Sequence, residues 1–205
     1  MEIKRLANNT LNFVLKKVIE IIGLTLGIIG LLLLISLITF SPDDPNFIFP
    51  ENTEIKNLLG FQGSFISDLL FQSLGLIAFL IPIGFFLSGI NIILTKKLIL
   101  IIENLFYTIV YSLFGSLFFT FFYPNAFNLY INGNGGFIGN FLNSGFLNSL
   151  INMNPQLIYY ILKILIITFF LISIHFKIKY FYIFLKLFIS FSLLKKRKTT
   201  PMKTR

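Results

Sequence analysis

The sequence predicts an all-α polytopic membrane protein, with four transmembrane helices, both termini cytoplasmic, and a fifth helix lying at the membrane interface. Three observations carry this. Hydrophobic residues make up 56% of the 205 and mean hydropathy is +0.85, too little polar surface to coat a soluble globule of this size. Charged residues, 12% of the chain, cluster between apolar runs, as in a chain that threads a bilayer repeatedly. Lys and Arg fall on one side: Lys4, Arg5, Lys16 and Lys17, then Lys96 and Lys97, then Lys177 onward, with Lys56 alone in an opposite-side loop. The positive-inside bias then puts both ends in the cytoplasm.

The net charge of +9 therefore reads as topology rather than as a nucleic-acid surface. Cysteine is absent, which removes disulfides, a thiol nucleophile and thiolate metal sites. Against 27 Phe there are only three alanines, Ala7, Ala78 and Ala126. That imbalance reads as AT-rich codon bias, so aromatic count carries little argument.

Residues 1–17 form a basic cytoplasmic N-terminus, and the membrane domain occupies 18–174. The first span, 18–40, is long enough to cross about 30 Å of hydrocarbon. It is too long for a secretory h-region and lacks a small-x-small cleavage pattern, so it reads as an uncleaved span. Gly23 and Gly27 make a GxxxG with Gly30 near the same face; either a neighbouring helix approaches closely there, or glycine is simply common in membrane helices.

The outer loop 41–64 opens with Ser41-Pro42-Asp43-Asp44-Pro45. Two prolines fix φ and remove two donors, so the first helix stops at Phe40. Asn57-Leu58-Leu59-Gly60-Phe61-Gln62-Gly63 follows, with Ser64 as the expected cap of the second span, 65–94, which Pro82 should bend. Lys96 and Lys97 form a tight basic connection to the third span, 98–122. The outer loop 123–156 carries no charged residue and holds Gly135 and Gly136. Its segment 136–152 has paired apolar residues interrupted by Gly145, consistent with a surface helix. Asn154-Pro155 gives a cap and first turn for the fourth span, 157–174. Residues 175–205 read as the interfacial helix, 176–194, leading into a basic cytoplasmic linker with Lys195, Lys196, Arg197 and Lys198.

Glu20, Asp68, Glu103 and Lys163 lie within or at the edge of spans. An ionised side chain at the bilayer centre costs roughly 2.5–3.5 kcal/mol, so each needs a partner, water or a route to the interface. Glu20 shares a face with Lys16 and Lys17. Asp68 and Lys163 fall in the same leaflet and are expected to pair if the second and fourth spans are neighbours; otherwise Asp68 decorates a helix start and Lys163 snorkels. Glu103 is expected to find Lys17 or Lys177 from another span. His175, the only histidine, reads as an interfacial anchor rather than a ligand or base. No Walker lysine, nucleotide fingerprint, catalytic triad or carboxylate pair is present, so the expectation is a non-enzymatic chain with no cofactor and no metal.

Taken in order, Phe40, Ser41, Pro42, Asp43, Asp44 and Pro45, then Asn57, Gly60 and Gly63, then Ser67, Asp68 and Leu70, then Gly75, Ala78 and Pro82 resemble the amino-terminal membrane domain of the FtsK/SpoIIIE family of bacterial DNA translocases. Gly135, Gly136 and Gly139 resemble the GG-x-x-G ahead of that family's fourth span. The resemblance implies a four-helix anchor in the bacterial inner membrane at the division septum, acting in cell division and chromosome partition. In the family it tethers a linker and a hexameric ATP-driven motor, and DNA is met only through that motor. The partners so implied are the lipid bilayer, further copies of the chain as a homo-oligomer, a hexamer by family resemblance, and other division proteins. The chain stops at Arg205 with no motor sequence, so it is expected to be either a fragment or a stand-alone subunit. Competing classes are a small multi-pass transporter or channel component, which needs inverted repeats and a midplane polar pathway, a stand-alone division scaffold, and a tail that binds DNA directly.

Overall fold

The computed structural model describes residues 2–45, 54–124, 132–144 and 146–176. Every regular element among them is helical: α1 (Glu2–Ile38), α2 (Gly60–Leu74), a 3-10 segment (Gly75–Phe79), α3 (Leu80–Thr95), α4 (Ile99–Phe122), α5 (Gly136–Asn143), α6 (Phe146–Met153) and α7 (Pro155–Ser173). Four stretches are long and apolar enough to cross a membrane: Asn9–Ile38, Gly60–Thr95, Ile99–Phe122 and Pro155–Ser173. The fold is therefore the all-α, four-span arrangement that the hydropathy pattern predicts. The tail helix expected over 176–194 and the basic cluster after it lie outside the described residues, apart from Phe176.

Element ends differ from the sequence expectation for identifiable reasons. α1 has 37 residues, about 55 Å at ~1.5 Å per residue. Hydropathy marks only the part that meets lipid, while the backbone ladder continues into the polar residues before it. α2 begins at Gly60 rather than after Ser64: Gly60 takes φ +66° and its N–H closes onto Asn57 O at 2.9 Å. Ser64 is instead buried inside the helix. α7 starts as expected, with the Asn154 side chain accepting from Leu157 N at 3.1 Å and Pro155 opening the first turn. The surface segment after Gly136 forms two short helices, α5 and α6, on either side of position 145.

The second span breaks, but not at Pro82. Gly75 adopts φ +71°, and the chain runs through a 3-10 turn before α3 resumes. Leu76 N leaves the ladder and donates to Asn134 O at 2.8 Å. Pro82 sits in the first turn of α3, where a missing N–H costs nothing. The bend that the proline seemed to require is carried by a glycine about two turns earlier.

α3 lies between α1 on one side and α4 on the other, and α4 packs along α7. The α1 and α3 backbones meet directly. A Cβ on Gly23 would stand 2.9 Å from Gly89 O, one on Gly89 2.6 Å from Gly23 O, and one on Gly30 2.7 Å from both Pro82 O and Phe86 N. The GxxxG face is thus a packing face, with dispersion between close backbones replacing the hydrophobic drive that lipid cannot supply. On the α4 side the core is Ile77, Tyr111, Leu117, Phe118, Ile151, Leu162 and Ile166. A smaller cluster of Leu37, Phe71 and Ala78 seals the end of α1 against α2, with Phe40 edge-on to Phe71 at 5.0 Å. Ile21, Ile109 and Ile164 are each more than 60% exposed, the outward apolar face that lipid covers.

These contacts separate two neighbouring glycines. Gly30→Ala pushes a methyl into two backbone atoms that cannot rotate away, so it should destabilise the detergent-solubilised protein by about 1–3 kcal/mol. Gly27→Ala, whose Cβ meets nothing within 4 Å, should leave the thermal midpoint unchanged or higher. Equal losses in both variants would refute the packing.

Candidate functional site

The residues singled out in the first long loop converge on one polar clasp. Asp44 is buried, 4% exposed, and its carboxylate accepts from two successive backbone donors, Lys56 N at 2.8 Å and Asn57 N at 2.9 Å. Asn57, equally buried, turns its amide towards the end of α1, where Nδ2 donates to Ser36 O at 2.9 Å and Thr39 O at 3.3 Å. Those carbonyls have no partner further along a helix that has stopped. Asn57 Oδ1 accepts from Leu59 N at 3.1 Å, folding the chain into the start of α2.

Further bonds close the clasp. Ser36 Oγ donates to Gly63 O at 2.6 Å, Ser64 Oγ to Pro45 O at 3.1 Å, and Ser67 Oγ to Gly63 O at 2.8 Å. Gly63 must be glycine, because a Cβ there would stand 2.6 Å from Leu59 Cβ and collide with the Asn57 amide. The spacing of Asn57, Gly60 and Gly63 thus has a mechanical meaning: an amide that caps one helix, a left-handed turn into the next, and a gap for the amide. Pro42 and Pro45 bracket the turn that presents Asp44. Asp43 lies outside the clasp and makes an exposed pair with Lys56 at 2.7 Å. Its hydrogen bond from the Lys56 ammonium holds the Asp43 carboxyl below the usual aspartate range, and the same pair raises Lys56.

A second crossing joins the second long loop to α2 and α4. Gly136 takes φ +67°, and a Cβ on it would sit 2.6 Å from Ser73 O and 2.7 Å from Gly75 N. A Cβ on Gly135 would reach Thr120 N at 2.7 Å. Ser116 Oγ donates to Leu74 O at 2.9 Å, and Asn132 Nδ2 donates to Gln72 O at 3.2 Å. The chain leaving Asn134 therefore wedges between α2 and α4, where only bare backbone fits.

The charges inside the spans are placed differently from expectation. Asp68 accepts from Gln72 Nε2 at 3.5 Å, while the Lys163 ammonium lies 5.8 Å from the Tyr159 ring. Among the described residues no ion pair joins them. α7 meets the second span chiefly through α3 rather than α2, which leaves Asp68 a helix away. Glu103 is met by His175 Nε2 at 2.5 Å, not by Lys17, and Lys177 falls outside the described residues. Glu20 binds Lys17 at 2.8 Å and Lys96 at 2.5 Å. The long lysine after α3 reaches a carboxylate on α1 that the sequence linked only to its own helix.

One set of residues escaped the sequence reading. Asn104, Thr108, Ser112 and Ser116 recur every four residues along α4 and are all buried, as are Ser88 on α3 and Ser173 at the end of α7. Asn104 Nδ2 donates to Ser173 Oγ at 2.8 Å and to Ser173 O at 3.2 Å; Asn91 Nδ2 donates to Ile174 O at 2.6 Å. These amides close the end of α7 as Asn57 closes α1. The signal was available as small polar residues at period four within an apolar span. Among the described residues no group of three His, Asp or Glu side chains is placed to hold a metal ion.

Comparison with known proteins gives a consistent result. The family model described as the 4TM region of DNA translocase FtsK/SpoIIIE matches residues 16–194. Curated relatives include proteins named DNA translocase FtsK from Rickettsia bellii and Rickettsia typhi, each 44% identical over 66 residues, which cover 32% of this chain and 9% of the relative. A protein of the same name from Azospirillum brasilense is 34% identical over 87 residues, 42% of this chain and 14% of that protein. The chain thus matches a small part of the length of these relatives. No solved structure matches it.

Two measurements probe the clasp. Asp44→Asn replaces an acceptor oxygen with an amide facing a backbone donor, so hydrogen exchange at Lys56 and Asn57 should accelerate, with a loss of about 1–3 kcal/mol. Unchanged exchange there would remove the clasp. For the exposed pair, the lowered value belongs to the folded loop, so its contribution is present above the ordinary aspartate range and is lost as pH falls through the lowered value. An NMR titration should place the Asp43 midpoint below 3.8, and Lys56→Met should return it to the usual range.

Proposed function

The chain belongs to the family of the 4TM region of DNA translocase FtsK/SpoIIIE, and from that premise we propose that it is the membrane anchor of such a translocase, non-catalytic in itself. Its four spans cross the bacterial inner membrane with both termini in the cytoplasm, the side to which Lys17, Lys96 and Lys97 assign themselves. The anchor holds the root of a cytoplasmic linker whose motor moves double-stranded DNA, and copies assemble in the number that the motor ring requires, six by family resemblance. The loop end faces outward and is the surface offered to other division proteins at the septum.

The observation that carries this reading is how the polar groups at the loop end are used. Asp44, Asn57, Ser36 and Ser64 spend their hydrogen bonds on the chain's own backbone. Such a clasp fixes the first two spans relative to one another and presents a fixed outer surface. A site for solute would instead leave polar groups converging on a cavity at the midplane. A root that takes the pull of a motor calls for spans that do not slide, and the glycine contacts between α1 and α3 supply that as well.

One observation favours the transporter reading instead, namely the buried polar stripe of Asn104, Thr108, Ser112 and Ser116 on α4. The two readings part in cells and vesicles. A fluorescent fusion carrying this membrane domain should gather at division sites, and Asn57→Ala should abolish that gathering while the protein remains inserted in the membrane. Uniform distribution of the unaltered domain, together with solute flux in proteoliposomes, would replace the anchor with the transporter.

A further inference from the structure

Among the described residues, Lys163 is a cation inside a span that no ion pair neutralises. It stands eight residues into α7, about 12 Å from the helix start at ~1.5 Å per residue, within a stretch long and apolar enough to span. None of the described ion pairs includes it, and Asp68, the carboxylate nearest in level, bonds Gln72 on its own helix. A cation held in an apolar span calls for an anion or for a path to water.

Around it lies a groove of about 430 Å³ between the 3-10 segment, α4 and α7. Leu76, Ile77, Leu80, Ile166 and Ile167 make its apolar wall. Its polar members are gathered at one end: Lys163 leans back over the Tyr159 ring, and the Tyr159 and Tyr123 hydroxyls stand 3.1 Å apart. When two hydroxyls share one hydrogen bond, the accepting member keeps its own proton to donate elsewhere. Tyr123 follows directly on α4 and is 41% exposed, so this end of the groove reaches the level where a helix leaves the hydrocarbon and where amphipathic tyrosines settle. The remainder of the groove runs down between apolar side chains.

We propose that this groove is a binding site for one anionic phospholipid in the leaflet at the loop end, with the lipid phosphate held by the Lys163 ammonium and the free hydroxyl proton of the Tyr123 and Tyr159 pair, and an acyl chain laid along Leu76, Ile77, Leu80, Ile166 and Ile167. The lipid supplies the counter-ion that Asp68 does not. It also fills the wedge between the broken second span and α7, and so couples the 3-10 segment to the fourth span. A zwitterionic lipid fits the groove equally in shape but brings a compensating cation next to Lys163. A free phosphate brings the charge without the chain.

The test is native mass spectrometry of the full chain released from mild detergent, titrated with phosphatidylglycerol or with phosphatidylcholine of the same acyl composition. The unaltered protein should retain one phosphatidylglycerol about fivefold or more in preference to phosphatidylcholine, as one lysine near an anionic headgroup provides. Lys163→Met should erase that preference while Lys97→Met leaves it intact, and Lys163→Arg should keep it. Ile167→Trp, which fills the groove and leaves the charge, should reduce retention of both lipids. Equal retention of the two lipids by the unaltered protein overturns the proposal without any variant. So does full competition by inorganic phosphate, which would reduce the site to a bare anion contact.

Discussion

Inside hydrocarbon, a backbone donor or acceptor has no water to fall back on, and the whole arrangement follows from the need to satisfy each one within the chain. The clasp at the loop end is the clearest case. α1 ends because two prolines forbid its continuation, and its last carbonyls would be stranded at the membrane boundary. Asn57 supplies their donors from 18 and 21 residues away, and Asp44 holds Asn57 in place through two successive backbone N–H groups, those of Lys56 and Asn57. At the opposite end Asn91 and Asn104 serve the carbonyls that close α7. The chain thus uses asparagine, which donates and accepts in one side chain, at both boundaries.

The same constraint explains why the second span can break without being expelled. A left-handed glycine at position 75 frees Leu76 N, which would be costly in lipid. The entering loop offers Asn134 O at 2.8 Å, and the carbonyl of Gln72, which Leu76 N would have met four residues back, accepts from Asn132 Nδ2 at 3.2 Å. Irregular backbone at membrane depth is tolerated because protein surrounds it. Gly135, Gly136 and Gly139 have no side chain because α2 and α4 occupy the space where one would go.

Charge placement follows a different logic at each end. At the end carrying the basic residues, Glu20 and Glu103 each tie separate helices together through Lys96 and His175. The pairs lie where an ionised group can be solvated, so they direct assembly more than they add stability. At the loop end Lys163, a cation within a span, is surrounded by tyrosines and apolar side chains.

The sequence by itself determined the fold class, the four spans and the segregation of basic residues, because hydropathy and charge act residue by residue against a uniform solvent and need no knowledge of neighbours. It also marked the turn around Pro42 and Asp44, since turn chemistry is local, while Asn57, Gly60 and Gly63 stood out through the family resemblance. What those residues bond to, however, was settled only when the start of α2 folded back onto the end of α1. Tertiary structure alone decided that the break falls at Gly75 instead of Pro82, that Glu103 finds His175, and that Asp68 and Lys163 stay apart. Each of these depends on which helix stands beside which, and on how closely two backbones approach. Period and composition on a single helix carry no record of the partner across the interface.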